Sequence, residues 1–117
     1  MGFPSPAQDY IEGRPSLDEF LRTREPSVFI VVMDSEAMQG TIHKGDLMVI
    51  DRALTARHGQ IVIGIINGEH MCRRFNQVNG EVALTPDNQA YKPRYVLPGD
   101  ELEVWGVVIG SVRRHEN

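Results

Sequence analysis

From residue 27 onward the chain is a succession of short β-branched runs, each closed by turn residues. This alternation constrains the fold more than any other feature. The runs are SVFIVVM (27–33), DLMVID (46–51), QIVIGII (60–66), EHMCRRF (69–75), EVALT (81–85) and ELEVWGVVIGSV (101–112). Valine, isoleucine and aromatic side chains suit a pleated, half-buried surface. Gly40, Gly45, His58–Gly59, Asn67–Gly68, Asn79–Gly80 and Pro98–Gly99 separate them. Asn67–Gly68 and Asn79–Gly80 predict two-residue type I′ hairpins, because both central residues of that turn take positive φ. Several runs are apolar throughout, which predicts strands buried on both faces or at a subunit contact. No repeat at solenoid spacing is present. The expectation is a mainly β, mostly antiparallel, compact domain.

The start of the chain reads differently. Residues 1–15, MGFPSPAQDYIEGRP, hold three prolines and two glycines with no apolar period, which predicts an extended arm. SLDEFLRTRE follows, and Ser16 with Glu19 forms a capping box. Leu17, Phe20 and Leu21 fall on one helical face, and Pro26 closes the segment. The predicted organisation is an arm over 1–15 and one domain over 16–117, with a single short N-terminal helix at about 16–25 and a β core at 27–113.

A chain of 117 residues forms one domain. Its net charge of −4 argues against holding bare nucleic acid unaided, since that affinity comes mostly from Lys and Arg on phosphates. A subunit that reaches DNA only through partners remains compatible. The one cysteine, Cys72, precludes an internal disulfide, fits a reducing cytoplasm, and reads as a small core residue. No apolar run is long enough to span a membrane, and the N-terminus lacks a signal-peptide layout.

Motifs for bound groups are missing. His43, His58, His70 and His115 are scattered, with no Cys or carboxylate at ligand spacing, so no metal is expected. No phosphate loop, dinucleotide fingerprint or G-x-S-x-G elbow occurs, and no cofactor is expected. KGDLMVID (44–51) reads as a structural turn: Gly45 bends the chain and Asp46 bonds local backbone.

Taken together and in order, GFPSPAQDY (2–10), FIVVM (29–33), I-x-x-GDLMVID (42–51), LTARHGQIVIG (54–64), GE (68–69) and VWGVVIGSV (104–112) resemble the UmuD family. More widely, they resemble the self-cleaving peptidase domains of LexA-type repressors. The resemblance implies a LexA C-terminal, UmuD′-like β domain with a serine–lysine dyad. In that family the serine attacks a bond in the protein's own arm, and a buried, neutral lysine is the general base. Desolvation favours the free amine and so makes the base competent.

Carried over by position, the dyad is degenerate. The serine belongs nine residues before the Gly of the GD pair, which is Glu36, and the methionine that normally follows is Ala37. The lysine belongs four residues after the Glu of the GE pair, which is Arg73. Glu36 has no proton to give up and is a poor nucleophile; an arginine keeps its proton and is no base. The two are expected to form an ion pair in place of the chemistry. The two lysines are Lys44, in the GD turn, and Lys92, in a proline-flanked loop. Ser35 is the fallback nucleophile, reached by a one-residue shift. Family cleavage falls just before the Gly that is Gly2 here, so the sequence begins like the processed form.

The resemblance therefore implies a non-enzymatic, cytoplasmic accessory subunit of an error-prone translesion DNA polymerase, of the DNA polymerase V type, in the SOS response. It implies a homodimer, with VWGVVIGSV a contact strand, joined to a UmuC-type Y-family polymerase subunit and activated by the RecA filament. DNA would be reached only through partners, and no membrane is involved. The alternatives are an active serine peptidase using Ser35 and the dimerisation module of a LexA-like repressor.

Overall fold

The computed structural model describes residues 13–116. Gly2 and most of the expected arm lie outside that span. One short helix, α1 (Leu17–Leu21), precedes seven strands: β1 (Val28–Val32), β2 (Leu47–Asp51), β3 (Ile61–Ile66), β4 (Glu69–Val78), β5 (Glu81–Thr85), β6 (Arg94–Tyr95) and β7 (Leu102–Val112). They form one antiparallel sheet in the order β1-β2-β7-β3-β4-β5-β6. The mainly β fold with one short helix is as expected.

The two hairpins close where the turn dipeptides place them. Asn67 (φ 51°) with Gly68 (φ 85°) joins β3 to β4, and Asn79 (φ 53°) with Gly80 (φ 79°) joins β4 to β5. Each leaves a two-residue loop, pairing Ile66 with Glu69 and Val78 with Glu81. β4 runs three residues beyond the predicted run, and β6 is a short strand without a sequence signal.

The helix is shorter than the predicted 16–25. Ser16 caps it, its hydroxyl accepting from the Glu19 N–H at 3.3 Å. Arg22 then turns left-handed at φ 58°, with its N–H on the Glu19 carbonyl and the Thr23 N–H on the Asp18 carbonyl. This is the bonding that closes a helix in a Schellman-type turn. The expected apolar face also divides. Leu21 reaches the sheet, within 2.7 Å of where a Cβ on Gly110 would sit, while Leu17 and Phe20 are 68% and 81% exposed.

β7 lies inside the sheet, third of seven, between β2 and β3. The register shifts between Val49 and Ile50 on one side, and between Ile63 and Gly64 on the other, so Ile109 and Trp105 are the extra residues of two bulges. Gly106 lies between them because a Cβ there would meet Ile50 Cγ2 at 2.5 Å. Within the chain β7 pairs with β2 over Val107–Val112 and with β3 over Leu102–Val107, so each half of VWGVVIGSV is paired on one side.

Two apolar clusters fill the interior. One holds Met33, Met38, Ile42, Met48, Ile50 and Cys72; the other holds Val62, Ile66, Phe75, Leu84 and Val107. The first includes Met33, Met38 and Ile42 of the 33–46 turn and so anchors that turn.

Candidate functional site

The turn from Met33 to Asp46 carries both Ser35 and Glu36. Its base is closed by two backbone bonds, Met33 N–H to the Asp46 carbonyl and Gly45 N–H to the Met33 carbonyl, each 2.8 Å. Its floor is apolar, since Ala37 and Met38 are fully buried. Asp46 holds the far end: one carboxylate oxygen accepts from the His43 N–H, and Arg113 donates to both oxygens at 2.8 Å. The local side-chain-to-backbone bond expected of Asp46 is therefore present. The Arg113 bonds, opposed by burial and aided by the His43 N–H, bring its carboxyl down to about 2.

Within this frame Glu36 is exposed and Ser35 half-buried. The Glu36 carbonyl accepts from Asn88 Nδ2 at 2.9 Å and from the Gln39 N–H at 3.1 Å. Ser35 Oγ accepts from the Ala37 N–H at 3.1 Å, a local turn bond. No described hydrogen bond links Ser35 to a lysine or histidine. Lys44 is exposed in the turn before β2, and Lys92 is exposed in the loop before β6.

Arg73 lies on β4 beside buried Cys72, whose thiol burial pushes up to about 12. Cys72 Sγ sits 3.6 Å from Met48 Sδ, so this residue is a core sulfur as expected. The Arg73 guanidinium curls back, with Nη1 donating to the Cys72 carbonyl at 2.8 Å and the Tyr91 ring 5.8 Å away. Its Nε is buried without a partner among the described residues.

The expected Glu36–Arg73 ion pair is absent from the described salt bridges. Backbone bonding fixes Glu36 with its side chain outward, while Arg73 turns onto its own strand. The bidentate pair is made one residue later. Arg74 donates to Asp87 from Nε at 3.0 Å and from Nη2 at 2.6 Å, and its Nη1 reaches the Gly59 carbonyl. Asp87 also accepts from Thr41 Oγ1 at 2.6 Å. Arg74, ahead of the opposing burial, and then Thr41 hold the Asp87 carboxyl below the usual range. Asn88, next along, donates its backbone N–H to the Ala37 carbonyl. The loop after β5 is thus tied across the turn that carries Glu36. A signal for this was present: the Asn79–Gly80 hairpin sets Thr85 opposite Arg74, and Asp87 follows two residues on.

A family profile described as Peptidase S24-like matches residues 1–109. Protein MucA of Salmonella typhimurium is 40% identical over 117 residues, covering 97% of this chain and 79% of MucA. Protein SamA of the same organism is 37% identical over 114 residues, with 97% and 79% covered. The LexA repressor of Bordetella parapertussis is 30% identical over 112 residues, covering 96% of this chain and 52% of the repressor.

Proposed function

The chain belongs to the Peptidase S24-like family, and from that premise we propose that it is a non-catalytic, UmuD′-like accessory subunit of an error-prone translesion DNA polymerase acting in the SOS response. The observation that carries the reading is the pair of side chains at the two dyad positions. A solvent-facing carboxylate, Glu36, stands where the nucleophile belongs, and an arginine that keeps its proton stands where the base belongs.

Ser35 is the residue through which catalysis would survive. Its hydroxyl is engaged with the Ala37 N–H, and no lysine stands beside it in a buried setting. The similarity to MucA and SamA, over nearly the whole chain, favours the subunit reading over a repressor module. A UmuC-type Y-family polymerase subunit, the RecA filament and a homodimer are the partners this function entails. No helix among the described residues is long and apolar enough to cross a membrane.

The test is genetic. The chain is expressed beside a UmuC-type polymerase subunit in cells that lack their own UmuD′-type protein, and damage-induced mutagenesis is counted. Restored mutagenesis, retained by Ser35→Ala, is the expected result. No mutagenesis with any UmuC-type subunit, or its loss in Ser35→Ala, would contradict the reading.

A further inference from the structure

The two Asn–Gly dipeptides, 67–68 and 79–80, close hairpins of the same type, and all four residues are exposed with positive φ. Asn–Gly is also where an asparagine amide is chemically weakest. Glycine has no Cβ to shield its own nitrogen from the neighbouring side-chain carbonyl. Sequence and turn type make the two sites equivalent, and the structure separates them. Asn67 is tied down: Nδ2 donates to Asp100 Oδ1 at 2.9 Å, Oδ1 accepts from the Glu101 N–H at 2.8 Å, and its own N–H donates to the Glu101 carbonyl at 2.9 Å. Just before it, Ile66 is buried and pairs with Glu69 on one side and Leu102 on the other.

Asn79 has no such ties. No described hydrogen bond engages its side-chain amide. β4 pairs with β3 only as far as Arg74. Beyond Phe75 the tip holds β5 and one further bond from β4, from the Gln77 N–H to His58 Nδ1 at 3.0 Å. Val78, beside the turn, is 58% exposed. A two-stranded ribbon is marginally stable in water, so this tip opens more readily than the turn at 67–68.

We propose that Asn79 is a site of spontaneous covalent modification and that Asn67, in the sister turn, is protected from it. The closed type I′ turn holds the Gly80 nitrogen away from the Asn79 side chain, so the tip must first open. The Gly80 nitrogen then attacks Asn79 Cγ. Its bond to Cγ forms as the Cγ–Nδ2 bond breaks, the Gly80 proton leaves with Nδ2 as ammonia, and a five-membered succinimide remains. Water opens either of its two carbonyl–nitrogen bonds. Breaking the bond to Cγ gives aspartate; breaking the bond to the main-chain carbonyl carbon gives isoaspartate. Both products set a carboxylate beside Glu81, on the rim of the groove lined by Val78, Val82, Tyr95 and Leu97. Isoaspartate also adds a methylene to the main chain of a turn that fits two residues.

The test incubates the full chain in warm, mildly alkaline buffer and samples it over days. Cleavage at Arg73 and Arg74 separates the two sites, and fragment spectra distinguish Asn79 from Asn76 and Asn88. The amide-to-acid mass gain is expected at Asn79 about tenfold or more faster than at Asn67, because three bonds must break before Asn67 is free. Labelled methyl uptake, catalysed by an isoaspartate-specific methyltransferase, is expected to rise in step. It is expected to be lost in Asn79→Gly, which keeps the turn because Gly–Gly also suits type I′. In urea the two rates are expected to converge. Asp100→Ala, which removes the acceptor of Asn67 Nδ2, is expected to speed reaction at Asn67; if it fails to fold, the folded-against-urea comparison alone decides. Equal rates in the folded chain, a faster Asn67, or no conversion at Asn79 would overturn the proposal. None of these outcomes bears on the polymerase reading, which the mutagenesis count tests separately.

Discussion

The family resemblance points to Glu36 and Arg73 as the dyad positions, but the sequence did not show what either residue touches. Arg73 turns onto the Cys72 carbonyl, Glu36 is held through its own backbone carbonyl by Asn88, and the carboxylate–guanidinium pair goes to Asp87 and Arg74. Spacing fixes which residue stands at a position; rotamer and loop closure decide what it touches. Glu36→Ser, at an exposed site without a side-chain partner, is expected to change stability by no more than about 0.5 kcal/mol. Its effect is expected to add to that of Arg73→Lys within about 0.5 kcal/mol, read from urea unfolding of the two single variants and the double variant. Arg74→Ala is expected to cost about 1–3 kcal/mol in the same assay, because it takes a donor from the Asp87 carboxylate and from the Gly59 carbonyl at once. Acid is expected to weaken the fold through these carboxylates. Asp46, at about 2, and Asp87, also lowered, bind fewer protons folded than unfolded. Their contribution is therefore complete above the unfolded value near about 4 and is lost as pH falls through the folded values. Urea midpoints are expected to drop below about pH 4, and less steeply in Asp46→Asn.

At the level of elements, local chemistry predicted best where it was self-sufficient. Asn67–Gly68 and Asn79–Gly80 name their turn type by themselves, and both hairpins formed. The capping box at Ser16 and Glu19 started the helix correctly, but nothing in SLDEFLRTRE showed that Arg22 would turn left-handed and end it. β6 is two residues beside two prolines, too little for periodicity to register. Gly106 shows the tertiary constraint that sequence alone hides. Gly106→Ala is expected to destabilise by about 1–3 kcal/mol or more, since its Cβ would crowd Ile50 Cγ2 between two bulges; thermal unfolding reads this directly.

For the molecule as a whole, the mainly β class was legible and the strand order was not. β7 is the last strand in sequence and the third of seven in space, between β2 and β3, which only long-range pairing decides. Its apolar run was equally consistent with a subunit contact or with burial on both sides; in the sheet only Gly106 and Val107 of the strand are buried. The central proposal is that Glu36 and Arg73 stand at the dyad positions of this S24-like fold and that the chain performs no proteolysis. The direct measurement is cleavage in trans of a peptide in which alanine precedes the Gly2–Tyr10 sequence. It is followed by mass spectrometry beside a family member with an intact serine–lysine dyad. The account predicts product from that control and intact peptide with this chain at every pH where it stays folded. Cleavage by the wild type that Ser35→Ala abolishes would contradict it.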